Sequence, residues 1–171
     1  MSVLTVIVIV AVIGLLALQS LVNARYLRWY HSRSSEPPIE QEFPRAAIIL
    51  SLRGADPSLE ECLNRLNCQN YPDYEIHVIL DHETDPAGIV VARWRTKHRA
   101  SRLHVHILRS ISKFAYLKTS AIRQCLQHIS PSVGAAIMVD ADTVVHPNWL
   151  RDMVAPMSDR NVGLVYRKSM V

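Results

Sequence analysis

The chain opens on a block whose hydrophobic pattern has no period: residues 3–22, VLTVIVIVAVIGLLALQSLV, carry no charge and only Thr5, Gln19 and Ser20 as polar interruptions. About 20 such residues rise roughly 30 Å as a helix, the thickness of a bilayer's hydrocarbon core. A soluble helix of that length keeps a polar face, and none is present, so residues 1–24 are expected to form a transmembrane anchor. A cleaved secretory signal ending near Val22-Asn23-Ala24 is the other reading. Against it, no Lys or Arg precedes the run, and the run exceeds a usual signal core. Arg25, Arg28 and Arg33 follow, with Tyr26, Trp29 and Tyr30 among them, the composition of an interfacial belt with a cationic flank. By the positive-inside rule this predicts a single-pass protein with the remainder in the cytoplasm. Residues 25–44 form the juxtamembrane linker, polar and Pro-rich over SRSSEPPIEQEFP.

From Arg45 onward the rhythm changes. RAAIILSLRG (45–54) is a short apolar run ended by Gly54, the signature of a strand buried on both faces. Leu59, Cys62, Leu63 and Leu66 then fall at helical spacing behind Ser58 and Glu61, which stand at capping-box distance; Cys62 reads as core. A turn at 71–73, a strand over 75–80, an acidic loop, a helix within 87–100 and a strand at 103–109 follow. His104 and His106 alternate with apolar residues and share one strand face; a partly buried or surface face is favoured over a metal site. Helix 114–129, strand 134–139, a short helix beginning near Pro147 and a fifth strand, VGLVY (162–166), complete the pattern. Strands alternating with helices imply right-handed βαβ units and an α/β fold with a mostly parallel sheet.

Composition changes this picture little. The chain is 49% hydrophobic and 20% charged, as a globular protein is. The net charge of +4 suits anionic phosphate or lipid head groups, but Lys and Arg are scattered and no nucleic-acid arm is present. Three cysteines without metal-ligand pairing argue for a reducing compartment.

Parallel sheets bind ligands outside the carboxyl ends of their strands. Acids stand at two such ends: Asp81, with Glu83 and Asp85, and the pair Asp140 and Asp142 after AAIMV. Clustered carboxylates repel and cost desolvation without a cation beside them. Mg²⁺ or Mn²⁺, hard ions that keep waters and bind phosphates, are the economical partners. Alone, the Asp-x-Asp pair also fits a solvated turn, or the nucleophile motif of a haloacid-dehalogenase-like phosphatase with Asp140 phosphorylated and Asp142 as acid/base.

The order AAIILSLRG, LEECLNRLNCQNYPDYEIHVILDHETD, SKFAYLKTSAI, AAIMVDADTVVHPNWL resembles the nucleotide-binding half of glycosyltransferase family 2, inverting enzymes of the Rossmann-like GT-A fold. RGADPSLEECL and QNYPDY lean towards its ceramide-glucosyltransferase-like branch. The resemblance implies a GT-A nucleotide-sugar-binding domain over 45–171 and a metal-dependent sugar transfer from a nucleotide-sugar, UDP-sugars favoured, to a lipid or glycan acceptor, with inversion. It matches Asp81 to the aspartate that binds the base, Asp140 to the carboxylate facing ribose or sugar, and Asp142 to the ligand of the metal. Lys113 matches a position that can touch phosphate, a solvated lysine being the equal alternative, and Ser51 and Arg53 match the lining of the base pocket.

The departures are Leu80-Asp81-His82-Glu83, where the family commonly has Asp-Asp-Gly-Ser, and Lys118, often Asn. The family's catalytic base lies beyond the Asp-x-Asp strand, in a half for which the remaining residues are too few. A truncated chain, a donor-binding fragment without turnover, or one part of a split protein is therefore expected.

Overall fold

The computed structural model describes residues 2–33, 43–99, 102–113, 115–159 and 161–165. The chain falls into two compact units, residues 1–40 and 41–171.

In the first unit, helix α1 runs from Val3 to Arg33. Its segment Val3–Arg28 is long and apolar enough to cross a membrane, and side chains such as Ile7, Ile13, Leu16 and Leu21 are exposed. The helix continues past the expected anchor end at residue 24, because Ala24, Arg25 and Leu27 are all good helix formers. Of the expected linker, residues 25–33 continue α1 and residues 34–42 lie outside the described residues.

The second unit is built on four strands: β1 (Ala46–Leu52), β2 (Tyr74–Leu80), β3 (Leu103–Ile107) and β4 (Ala135–Val139). They pair in the order β3-β2-β1-β4, every pair parallel. The register sets Leu50 beside both Val78 and Val139. The chain winds outward from β1 through helix α2 (Leu59–Asn67), β2 and helix α3 (Pro86–His98) to β3. It then returns through helix α4 (Leu117–Leu126) to lay β4 on the other side of β1. The topological reversal therefore falls between β1 and β4.

β1 and β2 alternate their side chains between two covered faces, which is why both read as continuous apolar runs. One face sends Ile48, Leu50, Ile76, Val78 and Ile137 against Leu59, Leu63 and Leu66 of α2, Val91 and Trp94 of α3 and Leu150 and Val154 of helix α5 (Trp149–Val154). The other sends Ile49 and Ile79 against Ala121 and Cys125 of α4. Each fully buried Leu or Ile contributes about 1.5–3 kcal/mol.

Two expectations fail. Residues 162–165 of VGLVY form no strand, and Leu164 is exposed; residue 166 lies outside the described residues. A short apolar run becomes a strand only with a hydrogen-bonding neighbour. The capping box at α2 is also unformed. Ser58 makes no side-chain cap, Asp56 Oδ1 accepts from Ser58 N at 2.7 Å, and Glu61 pairs instead with Arg65, 2.7 Å away one turn on.

Candidate donor site at the strand ends

The expected acids lie at the carboxyl ends of β2 and β4, the two strands that flank β1. Asp81 follows β2, and its N–H donates to Leu52 O at 3.1 Å, joining it to the end of β1. Its side chain is only 12% exposed, with Arg53 Nε 3.4 Å from Oδ2. Ser51, half-buried, stands one residue before the end of β1.

The rim beside Asp81 is held by Asp85, which is buried. Asp85 caps α3, its Oδ1 accepting from Ala87 N at 2.8 Å ahead of Pro86, and both its oxygens accept from Gly54 N at 3.0 and 3.1 Å. Gly54 has φ +78°, a conformation that costs a residue with a Cβ about 1–2 kcal/mol. One carboxylate thus fastens the loop after β1 to the start of α3. Asp81, His82 and Asp85 each place a ligand atom within 4.8 Å of the others, but Asp85 is committed to these backbone donors.

Asp140 and Asp142 follow β4, both exposed, in a turn closed by Thr143 N donating to Asp140 O at 3.1 Å. Their field reaches α2. Burial, then Asp142, Asp56 and Asp140, push the Cys62 thiol up to about 12. The protonated Sγ lies 3.7 Å from Asp140 O, so Cys62 is a buried thiol and no nucleophile.

The sequence reading gave Asp140 a divalent ion and no side-chain cation as partner. The structure places the ammonium of Lys118, on the first turn of α4, against Asp140 Oδ1. Lys113 is exposed in the loop ahead of α4, and among the described residues no ion pair joins it to a strand-end acid.

A second overlooked residue is Gln69, which is buried. Its Nε2 donates to Arg65 O at 2.9 Å and His146 O at 3.1 Å, while Leu150 N donates to its Oε1 at 2.9 Å. Asn70 N donates to Pro147 O at 2.7 Å. The turn after α2 therefore clamps the loop that leaves Asp142, and the Gln-Asn-Tyr-Pro signal at 69–72 was its mark in the sequence. Beside it, Tyr71 Oη donates to Pro44 O at 2.6 Å.

A groove lined by Gly88, Val91, Arg95 and Val105 lies at the β3 edge, away from these acids.

Asp140 and Asp142 suit a hard divalent cation by chemistry: two oxygen ligands beside exposed space, one already gripping an ammonium. Among the described residues they belong to no three-ligand cluster. An ion there would fill its remaining positions with water or phosphate oxygens, as Mg²⁺ and Mn²⁺ do.

Residues 6–171 match the model of a family described as "Glycosyl transferase family 21". Over 92 residues the chain is 29% identical to a ceramide glucosyltransferase of Candida albicans, a match covering 53% of this chain and 16% of that protein. Among solved structures, a mannosyltransferase from Pyrobaculum calidifontis in complex with GDP-Man and Mn²⁺ superposes with a TM-score of 0.56 at 23% identity, over 82% of this chain and 41% of that one. S. aureus TarS, in its 1-349 form, gives a TM-score of 0.52 at 21% identity, over 68% and 33% of the respective chains. The chain thus spans less than half the length of each of these relatives.

Proposed function

The chain belongs to glycosyltransferase family 21, and on that premise we propose that it forms the nucleotide-sugar donor site of a metal-dependent, inverting glycosyltransferase acting on a lipid or glycan acceptor. The observation that carries this reading is the placement of Asp81, Asp140 and Asp142 at the carboxyl ends of β2 and β4, on either side of β1 and its crossover. Ligands of open α/β sheets bind at such a reversal.

The side chains divide the donor between them. Asp81, backed by Arg53, accepts from the base, with Ser51 and Arg53 lining that end of the crevice. Asp140 faces the ribose and sugar, Asp142 holds Mn²⁺ or Mg²⁺ with Asp140 beside it, and Lys113 reaches towards phosphate. The bound ion would neutralise charge on the departing nucleoside diphosphate, a contribution of several kcal/mol. The reading assigns donor binding, and no base, to the described residues. UDP is the favoured nucleotide; the ceramide glucosyltransferase relative supports a lipid acceptor.

The apolar segment Val3–Arg28 is proposed as a retained single-pass anchor, with Arg25 and Arg28 holding the following domain on the cytoplasmic side. In sealed inside-out vesicles, a membrane-impermeant thiol reagent then labels the exposed Cys68; labelling only after lysis would reverse the topology.

The decisive experiment is calorimetric titration of the full chain in detergent with UDP- and GDP-sugars, with and without Mn²⁺. Mn²⁺-dependent binding that disappears in Asp142→Ala is expected. A folded chain that binds neither nucleotide would sink the proposal.

A further inference from the structure

At the other end of the sheet, the face covered by α4 turns polar. Glu75 and His77 project from this face of β2, and His104 and His106 project beside them from β3, where the register pairs His77 with His104 and Ile79 with His106. His77 is four residues ahead of Asp81, roughly 13 Å along the strand. This group is therefore separate from the donor crevice.

Glu75 and His77 are buried at 7% and 3% exposure, whereas His104 is exposed. Glu75, His77 and His104 each offer one ligand atom, and these atoms lie within 4.8 Å of one another. Glu75 Oε1 lies 2.9 Å from His77 Nε2, yet that nitrogen makes no hydrogen bond of acceptable direction. A buried imidazole nitrogen beside a carboxylate, with the His104 ring stacked on the same imidazole at a centroid distance of 4.9 Å, places three ligand groups together.

The groups behind these three are the kind that orient ligands. Arg45 Nη2 donates to the outer oxygen of Glu75 at 2.9 Å. His77 Nδ1 shares a 2.9 Å hydrogen bond with His106 Nε2, which selects Nε2 of His77 as the free electron pair when Nδ1 carries the proton. His106 stacks in turn on His128, with ring centroids 4.9 Å apart. Metal-bound histidines are held in this way, through the nitrogen that does not ligate.

We propose that Glu75, His77 and His104 form a binding site for a borderline divalent transition metal, Zn²⁺ in the first instance, distinct from the Asp140 and Asp142 pair. Two imidazoles and a carboxylate suit Zn²⁺ at about 2.0–2.2 Å, whereas Mg²⁺ and Ca²⁺ prefer all-oxygen sets. The exposed His104 ring, stacked on His77, would turn out of that stack to reach the ion. A fourth position stays open to water beside it.

The test uses the full chain in detergent, stripped of metal with a chelator, and titrated with Zn²⁺ and, for its visible spectrum, Co²⁺. One equivalent per chain is expected, with tetrahedral-type Co²⁺ bands. His104→Ala, an exposed position that leaves the fold intact, should weaken binding at least about tenfold. Asp142→Ala and His82→Ala should leave it unchanged. No stoichiometric Zn²⁺ binding by a chain of native circular dichroism would overturn the site, as would full affinity in His104→Ala or loss of binding in Asp142→Ala. Nucleotide binding is read separately, so this site and the donor site stand or fall independently.

Discussion

The ammonium of Lys118 rests on Asp140 Oδ1, so the first carboxylate of the Asp-x-Asp pair carries a positive charge supplied by the chain itself. A divalent ion arriving at Asp140 and Asp142 must compete with it. Lys118→Met is expected to tighten Mn²⁺ binding in the absence of nucleotide by about two- to fivefold, the range set by an exposed pair contributing roughly 0.4–1 kcal/mol. Calorimetry checks this, and unchanged or weaker binding would show that Lys118 does not compete with the ion.

Asp85 fastens the loop after β1 to the start of α3. Asp85→Ala removes the cap of α3 and leaves Gly54 N without its acceptor, for an expected loss of about 2–4 kcal/mol. Denaturant unfolding followed by circular dichroism measures it. Asp85→Asn keeps one acceptor oxygen and should recover at least half of that loss.

Alkali should destabilise the domain. Burial, then the charge of Glu75, pushes the Cys125 thiol up to about 11, and burial, then Asp73, pushes the Tyr71 hydroxyl up to about 12. Both groups keep their protons in the folded chain at pH values where the unfolded chain loses them. Stability from this source is complete below about pH 9 and falls as pH rises towards 11 and beyond. Thermal melts at pH 8 and pH 10.5 are expected to show a lower Tm at the higher pH, with Cys125→Ser reducing the difference.

The three thiols should separate by reactivity. Cys68 is exposed while Cys62 and Cys125 are buried, and thiolate formation at both buried sites is suppressed. Mass spectrometry after native alkylation at pH 8 should find one adduct per chain, on Cys68, and three adducts after denaturation. A native adduct on Cys62 would show that α2 opens away from the sheet.

What the sequence disclosed follows from what each signal needs. β1 and β2 were legible because burial on two faces demands apolar runs such as AAIIL, β3 and β4 because short apolar or alternating runs follow each helix, and the strand-end position of Asp81, Asp140 and Asp142 came with them. Lys118 was visible only as a departure from a family pattern. Its contact with Asp140 depends on how α4 crosses to β4, 22 residues later in the chain, which no local pattern encodes. His77 meets His104 only through the β2–β3 register. Residues 162–165 misled because apolarity was present and, among the described residues, a pairing neighbour was not.

The junction between β1 and β4 also has a kinetic side. Local βαβ steps bring β1, β2 and β3 together, whereas Ala46 pairs with Ala135 across most of the domain's length. Closing so long a loop carries an entropic cost that the neighbouring strands do not bear. The strand that presents Asp140 and Asp142 is therefore expected to dock last and to detach first. Hydrogen exchange should find the amides of β4 less protected than those of β2, so the crevice would form and dissolve on its own clock while the rest of the sheet holds.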